Sequence, residues 1–575
     1  MDYSIKIGGE AGQGIQTIGD ALGRVFARSG YHVFSHQDYE SRIRGGHNFY
    51  QIRLADRPLA ASLDKVDIIV AFDRESITRH EHELTGNGRI IYDATTLKLK
   101  KEGPAFLELA FEKFALEQGG DKIMANTVAT GAVLGMLGMG LDIFLELITD
   151  TFKKKGDHVV LANKNAAQAG YQYAKQHCDK CTFAVAAGEI KQRMLIGGTE
   201  SIALGALSAG CTFYAAYPMT PSTGIMNYLA AKAGEYGLIV EQAEDEIAAI
   251  NMALGASFAG VRAMTGTSGG GFALMTEGLS LAGMTETPIV IAMGQRPGPA
   301  TGFPTRTEQG DLEFIQSAGH GEFPRVIFAP GTPAQAFYLT NKAFDLAEKY
   351  QIPVFILFDT YLADSQWTFD SFDLSRLRYH IYRLRGDAFK NQQDYKRYAF
   401  TDTGVSPLAV PGDASHVVVV DSDEHDEEGH IVEDAATRIR MVEKRLFKKL
   451  PLIRNEIAPP ELYGNQDAHI VLTGWGSTYG IMKEAVDELT KSLRISMLHF
   501  SEVFPLPDLG LFDYIGFLKK AKLSLCIEHN ATGQFSRLLR AETGFAFKAR
   551  ILKYDGRPFT VEELIGEIHG HLGNV

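Results

Sequence analysis

The 575-residue chain reads as an α/β protein made of several doubly wound, mostly parallel sheet domains. Three observations predict this. Short, continuously apolar runs such as Ile68-Ile69-Val70-Ala71-Phe72, Ile289-Val290-Ile291-Ala292 and Pro353-Val354-Phe355-Ile356-Leu357-Phe358 are those of strands covered on both faces. Segments of helical periodicity, Ile15 to Arg28 for one, alternate with them. The length also exceeds what one hydrophobic core fills, so three or four domains are expected.

Composition narrows the class. With 45% hydrophobic residues the chain is ordinary for a soluble protein, and its net charge of −13, without a Lys/Arg cluster, argues against nucleic acid. Four cysteines, Cys178, Cys181, Cys211 and Cys526, point to a reducing compartment. The start Met1-Asp2-Tyr3-Ser4 has no basic apolar leader, so a cytoplasmic location is expected. The most apolar run, Thr127 to Leu141, is glycine-rich and stops at Asp142; it is short for a membrane span and is read as a core helix.

Residues 1–175 form the first predicted domain. The strand Tyr3–Ile7, the glycine turn Gly8–Gly14 and the helix Ile15–Arg28 follow one another, with further strands at His32–Phe34, Phe49–Leu54, Ile68–Phe72 and Arg89–Tyr92, so a largely parallel sheet is expected. The glycines are spaced G-x-x-G-x-G rather than G-x-G-x-x-G, which disfavours a nicotinamide site and leaves a packing turn or an anion at a helix start. Arg42-Ile43-Arg44-Gly45-Gly46-His47-Asn48 offers two arginines to a phosphate, against a solvated turn or subunit contact.

Residues 176–192 read as a linker. Its Cys178 and Cys181 have no second pair at ligand spacing, so an incidental pair is favoured over zinc or a cluster.

The second domain, 193–365, holds the densest motifs. Tyr217-Pro218-Met219-Thr220-Pro221 fixes the backbone around Thr220 with two prolines. The strand end Ile239-Val240-Glu241 runs into Gln242-Ala243-Glu244-Asp245-Glu246-Ile247, where acids open a small-residue helix ending near Gly260. Met264-Thr265-Gly266-Thr267-Ser268-Gly269-Gly270-Gly271 supplies a loop whose amides, those of Ser268 and Gly269 included, can approach a ligand before a helix starting near Phe272. Arg296-Pro297-Gly298-Pro299 presents one guanidinium on a stiff backbone, with Thr305 following.

A connecting region, 366–466, carries Asp423-Glu424-His425-Asp426-Glu427-Glu428-Gly429-His430, read as a charged turn before the helix Asp434–Lys449 rather than a metal site. Residues 467–575 close the chain with the strand His469–Thr473 and the runs Ile495–Leu498 and Leu523–Asn530.

In order and spacing these motifs resemble the α subunit of 2-oxoacid:ferredoxin oxidoreductases, most closely the 2-oxoglutarate type with the γ domain fused in front. The resemblance implies a γ-type domain, a pyrimidine-binding thiamine diphosphate domain and a transketolase C-terminal-like domain that packs the assembly and contributes little to the chemistry. It places the acid that shares a proton with the cofactor's aminopyrimidine on Glu246, the substrate-carboxylate arginine on Arg296, companion hydroxyls on Thr220 and Thr305, and cofactor contacts at Pro218, Ser268 and Gly269. Arg306 is a further candidate for the far carboxylate of the substrate, with a lysine or arginine of the β subunit as the equal alternative. No Gly-Asp-Gly stretch followed by an asparagine is present to hold a diphosphate through magnesium. The resemblance therefore implies a β subunit carrying the cofactor's tail, Mg2+ and a [4Fe–4S] cluster, an (αβ)2 heterotetramer, ferredoxin as electron partner and coenzyme A as acyl acceptor. The implied reaction is 2-oxoglutarate to succinyl-CoA and CO2, or the reverse. The alternatives are the same chemistry on pyruvate or branched 2-oxoacids, and a non-catalytic scaffold.

Overall fold

The computed structural model describes residues 1–42, 45–178, 193–413 and 416–572 together with Cys181, Phe183 and Val185. Most of the predicted linker and Ile43-Arg44 of the arginine motif lie outside the described residues. The chain divides into two compact units, one of residues 1–196, 364–371 and 560–566, the other of 197–363, 372–559 and the segment from 567 on.

The first unit is built on one sheet whose central strand, Asp2–Ala11, pairs parallel with Val66–Ala71 on one side and antiparallel with Gly45–Ala55 on the other. Leu84–Tyr92 and Phe106–Glu108 extend the parallel side; His32–Asp38 and Gln366–Phe369 extend the antiparallel side. The expected largely parallel sheet is thus mixed. The alternating apolar pattern of Phe49–Leu54 serves either direction of pairing, and only the connections decide between them. Gln366–Phe369 joins the sheet from far along the chain, and Met194–Gly197 forms its edge. The glycine turn begins later than expected, because the strand runs through Gly8 and Gly9 to Ala11, while helix Ile15–Arg28 has the predicted bounds. Its apolar face, Ile18, Leu22, Val25 and Phe26, covers Ile5, Ile7 and Ile52. The apolar run at Thr127 lies in the buried helix Ala125–Met136, and among the described residues no helix is long and apolar enough to cross a membrane.

The second unit contains two large sheets and a two-stranded one, Arg383–Leu384 beside Leu408–Ala409. In the larger, the neighbours in order are Glu502–Phe504, Val326–Phe328, Pro353–Asp359, Ile289–Gln295, Arg262–Ser268, Cys211–Ala216 and Ile239–Gln242, all parallel except the first. The smaller is Glu461–Gly464, Ile495–Phe500, Ile470–Trp475, Leu523–Glu528 and Ala549–Leu552, again parallel but for the first pair. One core serves both: Phe272, Met293 and Phe355 belong to the same buried cluster as Trp475, Leu498, Phe500 and Phe535. At about 1.5–3 kcal/mol for each fully buried large side chain, this shared core outweighs any single polar contact across it.

The connecting region is fastened by charge. Helical backbone continues from Ala435 to Arg454, capped by Asp434, whose side chain accepts from Thr437 N. Lys444 and Lys449 both reach the fully buried Glu286. Lysine charge beside Glu286 holds its carboxyl far below the usual range against the effect of burial, and burial brings Lys444 down to about 7.

Candidate active site

Four strands that are neighbours in the larger sheet end side by side, and each is followed by one of the sequence motifs. Ligands in open α/β sheets lie beyond the carboxyl ends of the strands, because loops there converge and helix starts point inward. Cys211–Ala216 leads to Pro218 and Thr220, Ile239–Gln242 to Glu246, Arg262–Ser268 to Gly269, and Ile289–Gln295 to Arg296.

Glu246 opens the helix Glu246–Phe258. The residue before it, Asp245, takes the capping role, its side chain accepting from Ala248 N at 2.8 Å. Glu246 is therefore released from helix duty. It is 4% exposed, and its Oε1 is shielded from solvent without a hydrogen-bond partner among the described residues. An acid so placed is costly unless a ligand completes it.

The glycine run beside it is helical rather than a loop: helix Gly269–Met284 starts three residues earlier than expected. The amides of a first turn have no partner inside the helix, so the run presents donors without being flexible. A Cβ at Gly271 would collide with Glu246 Oε1 and Thr267 Oγ1, so glycine there is what lets the acid approach. Ser268 Oγ, fully buried just before this turn, also lacks a partner among the described residues.

Arg296 donates from Nη1 to Thr220 O at 3.0 Å, joining two of the predicted residues through the threonine's backbone rather than its hydroxyl. Burial depresses the guanidinium's affinity for its proton, and Asp311 partly restores it.

The loop after Arg296 is tied down along its length. Thr307 N donates to Gly556 O at 3.2 Å and Gln309 N to His529 O at 2.6 Å. The fully buried Gln309 side chain donates to Trp475 O at 2.8 Å and accepts from His529 N at 2.9 Å. Gln534 Nε2 closes on Gly310 O at 2.7 Å. Half-buried Thr305 lies within this clamped loop, and the stem of Arg306 rests against Gly556. The C-terminal domain, expected to contribute little, thus holds the loop that carries two of the predicted substrate residues.

Asp311 was not singled out by sequence. An aspartate ahead of a short helix reads as its cap, yet in the structure its side chain makes no capping bond to helix Leu312–Ser317. Its Oδ1 stands where a Cβ on Gly269 would come within 2.8 Å, and its Oδ2 is shielded and unpartnered among the described residues. Burial, reinforced by Glu308 and opposed by Arg296, pushes its carboxyl up to about 7.

Gly14, at φ 73°, caps helix Ile15–Arg28 and lies against Asn126, beside a cavity of about 210 Å³ lined by Gly12, Gln13, Asp93, Lys122 and Asn126. Cys178 and Cys181 are joined as a disulfide, whereas Cys211 and Cys526 are free and buried. The ligand atoms of Asp426, Glu428 and His430 come within 4.8 Å of one another, but Asp426 Oδ1 accepts from Glu428 N and His430 N, as a turn requires.

The orphaned oxygens of Glu246 and Ser268 and the open amides between them fit a ligand with a polar heterocycle, as the pyrimidine of thiamine diphosphate is. Comparison with known proteins agrees in kind. Residues 204–444 match the family model described as pyruvate flavodoxin/ferredoxin oxidoreductase, thiamine diphosphate-binding, and residues 4–173 match that of pyruvate ferredoxin/flavodoxin oxidoreductase. A 2-oxoacid:ferredoxin oxidoreductase subunit alpha of Sulfolobus sp. is 33% identical over 98% of this chain and 96% of its own. The 2-oxoglutarate synthase subunit KorA of Methanocaldococcus jannaschii is 35% identical over 54% of this chain and 82% of its own. The solved 2-oxoglutarate:ferredoxin oxidoreductase of Magnetococcus marinus, with 2-oxoglutarate, coenzyme A and succinyl-CoA bound, superposes with a TM-score of 0.91 at 32% identity over 99% of both chains.

Proposed function

Because the chain belongs to the 2-oxoacid:ferredoxin oxidoreductases, as an α subunit with a γ-type domain fused in front, we propose that it is the catalytic γα subunit of a coenzyme A-dependent 2-oxoglutarate:ferredoxin oxidoreductase. It converts 2-oxoglutarate to succinyl-CoA and CO2, or runs the reverse, with a β subunit that supplies Mg2+, a [4Fe–4S] cluster and the contact to ferredoxin in an (αβ)2 assembly. The γ-type domain spans 1–175, the pyrimidine-binding domain 193–365, the connecting region 366–466 and the transketolase C-terminal-like domain 467–575.

The observation that carries this reading is the buried Glu246 Oε1, unpartnered among the described residues and set against Gly271, at the same carboxyl end of the sheet as Arg296. Thiamine diphosphate, when bound, supplies the carbon that attacks the 2-oxo group and a sink for the electrons left as CO2 departs. Glu246 holds the proton shared with the aminopyrimidine. Ser268, the amide of Gly269 and Pro218 make the remaining contacts to the cofactor. The guanidinium of Arg296 receives the carboxylate next to the ketone, and the hydroxyls of Thr220 and Thr305 orient the ketone. That grip ends with decarboxylation, since the group it holds leaves.

A partner is supported by exposed Ile239, Ile247, Met252 and Leu274, large apolar side chains on the edge strand and the two helices that frame the site. The burial of Glu246 works against a non-catalytic scaffold. The pyruvate named in both family models keeps smaller 2-oxoacids as the second reading. Co-expression with the β subunit, followed by coenzyme A-dependent viologen reduction with 2-oxoglutarate, pyruvate and branched 2-oxoacids, tests the proposal. Fastest turnover of 2-oxoglutarate is expected; activity of this chain alone would defeat the shared cofactor site. Glu246→Gln should lower turnover by about 100-fold or more while leaving assembly intact, and unchanged turnover would remove Glu246 from the mechanism.

A further inference from the structure

We propose that Gln309 is a positioning residue for the 2-oxoacid: it occupies the ligand crevice of the five-stranded sheet as an internal ligand, and so sets where the loop after Arg296 presents Thr305 and Arg306. The inference rests on the function proposed above. Its basis is the topology of that sheet. From Ile470–Trp475 the chain goes to Ile495–Phe500 on one side and then crosses to Leu523–Glu528 on the other. A reversal of this kind makes the space beyond the carboxyl ends of Ile470–Trp475 and Leu523–Glu528 the place where an open α/β sheet takes its ligand. Gln309 lies there, fully buried. Its Nε2 donates to the carbonyl of Trp475, the last residue of one strand, and its Oε1 accepts from the amide of His529, the first residue beyond the other. Its backbone is held as well, N donating to His529 O and O accepting from Asn530 Nδ2 at 3.2 Å. A Cβ on Gly476 would come within 2.8 Å of Gln309 Nε2, so the glycine after the strand makes room for this side chain as such glycines do for a ligand.

The rest of the crevice is satisfied from within. Fully buried Glu528 accepts from Phe535 N at 2.8 Å and Ser536 N at 3.0 Å, taking up amides at the start of helix Gln534–Thr543 that a bound anion would use. Gln534, the first residue of that helix, grips the loop too: Nε2 donates to Gly310 O at 2.7 Å, and Oε1 accepts from Glu313 N at 3.0 Å. The loop therefore has one anchor at Arg296, on Thr220 O, and a second at Gln309 to Glu313, with Thr305 and Arg306 between them. Glu246, Ser268 and Gly269 are delivered by the larger sheet and its helices, so loosening the second anchor falls on the substrate side of the site and spares the cofactor side.

The test uses the complex of this chain with its β subunit. Gln309→Leu can pair with neither Trp475 O nor His529 N, and KM for 2-oxoglutarate should rise by about tenfold or more, with kcat falling less and thiamine diphosphate affinity retained. KM does not depend on how much of the enzyme is active, so a merely structural role would lower apparent kcat and leave KM unmoved. Gln309→Glu keeps the bond from His529 N without the one to Trp475 O, and its KM should fall between those of wild type and Gln309→Leu. Gln534→Met releases Gly310 and Glu313 from the other side; it should move KM in the same direction, and it carries the test where Gln309→Leu does not fold. An unchanged KM in Gln309→Leu, or in Gln534→Met where the first variant does not fold, would overturn the inference while leaving the functional reading in place. Failure of wild type to turn over any 2-oxoacid would remove both.

Discussion

At the scale of single residues the site is defined by division of labour among neighbours. Asp245 and Glu246 are adjacent acids at one helix start, and the first satisfies the helix so that the second need not. Arg296 is placed by a backbone carbonyl, so its fork rather than its charge alone is specified. Lysine cannot reproduce a planar, two-pronged grip. Arg296→Lys should therefore raise KM for the 2-oxoacid by about 10- to 100-fold, the loss of one charge-assisted hydrogen bond, with less effect on kcat. Steady-state kinetics across a substrate series would check this, and an unaltered KM would take Arg296 out of carboxylate binding. Sequence reached these residues through local punctuation: prolines around Thr220, glycines after Ser268, proline after Arg296. It passed over Asp311 and Gln309 because nothing in their neighbours tells an aspartate that caps a helix from one turned toward another chain segment.

At the scale of elements, the strands of the larger sheet were legible because strands buried on both faces must be continuously apolar. Phe213–Ala215, Ile289–Ala292 and Pro353–Phe358 all lie within observed strands. The mixed direction of the first sheet was not legible, since a strand's residues do not record which way its neighbour runs. The connecting region was the least periodic stretch, and its anchor is a buried ionic cluster that no pattern announces. Removing the carboxylate there leaves two lysines facing one another without compensation. Glu286→Gln should cost about 3–5 kcal/mol of stability, read from denaturant unfolding; a shift within about 0.5 kcal/mol would mean that the lysines find other partners.

At the scale of the whole molecule, buried histidines make the fold acid-sensitive. Burial pushes His36, His499 and His529 down to about 4 from the usual 6.5. They are neutral in the folded state and bind protons more readily once unfolded. The stability they contribute is complete above about pH 6.5 and is lost as pH falls through that value toward 4. The thermal midpoint should decline across this window, and His499→Gln should flatten the decline; a midpoint independent of pH there would refute the assignment. The proposed dependence on a second polypeptide belongs to this scale too: if it holds, the exposed apolar residues framing the site predict co-purification with a β subunit at salt concentrations that dissolve purely ionic contacts.

The α/β class and the central strands of the larger sheet were legible in the sequence, and Glu246, Arg296 and Thr220 were reached as candidates through motifs that resemble a family, because each depends on residues near one another in the chain. Only the tertiary structure decided that the C-terminal domain clamps the loop after Arg296, that Asp311 faces Gly269, and that Gln366–Phe369 closes the first sheet. Those contacts join residues far apart along the chain, and their energy comes from complementary burial, which no local spacing encodes.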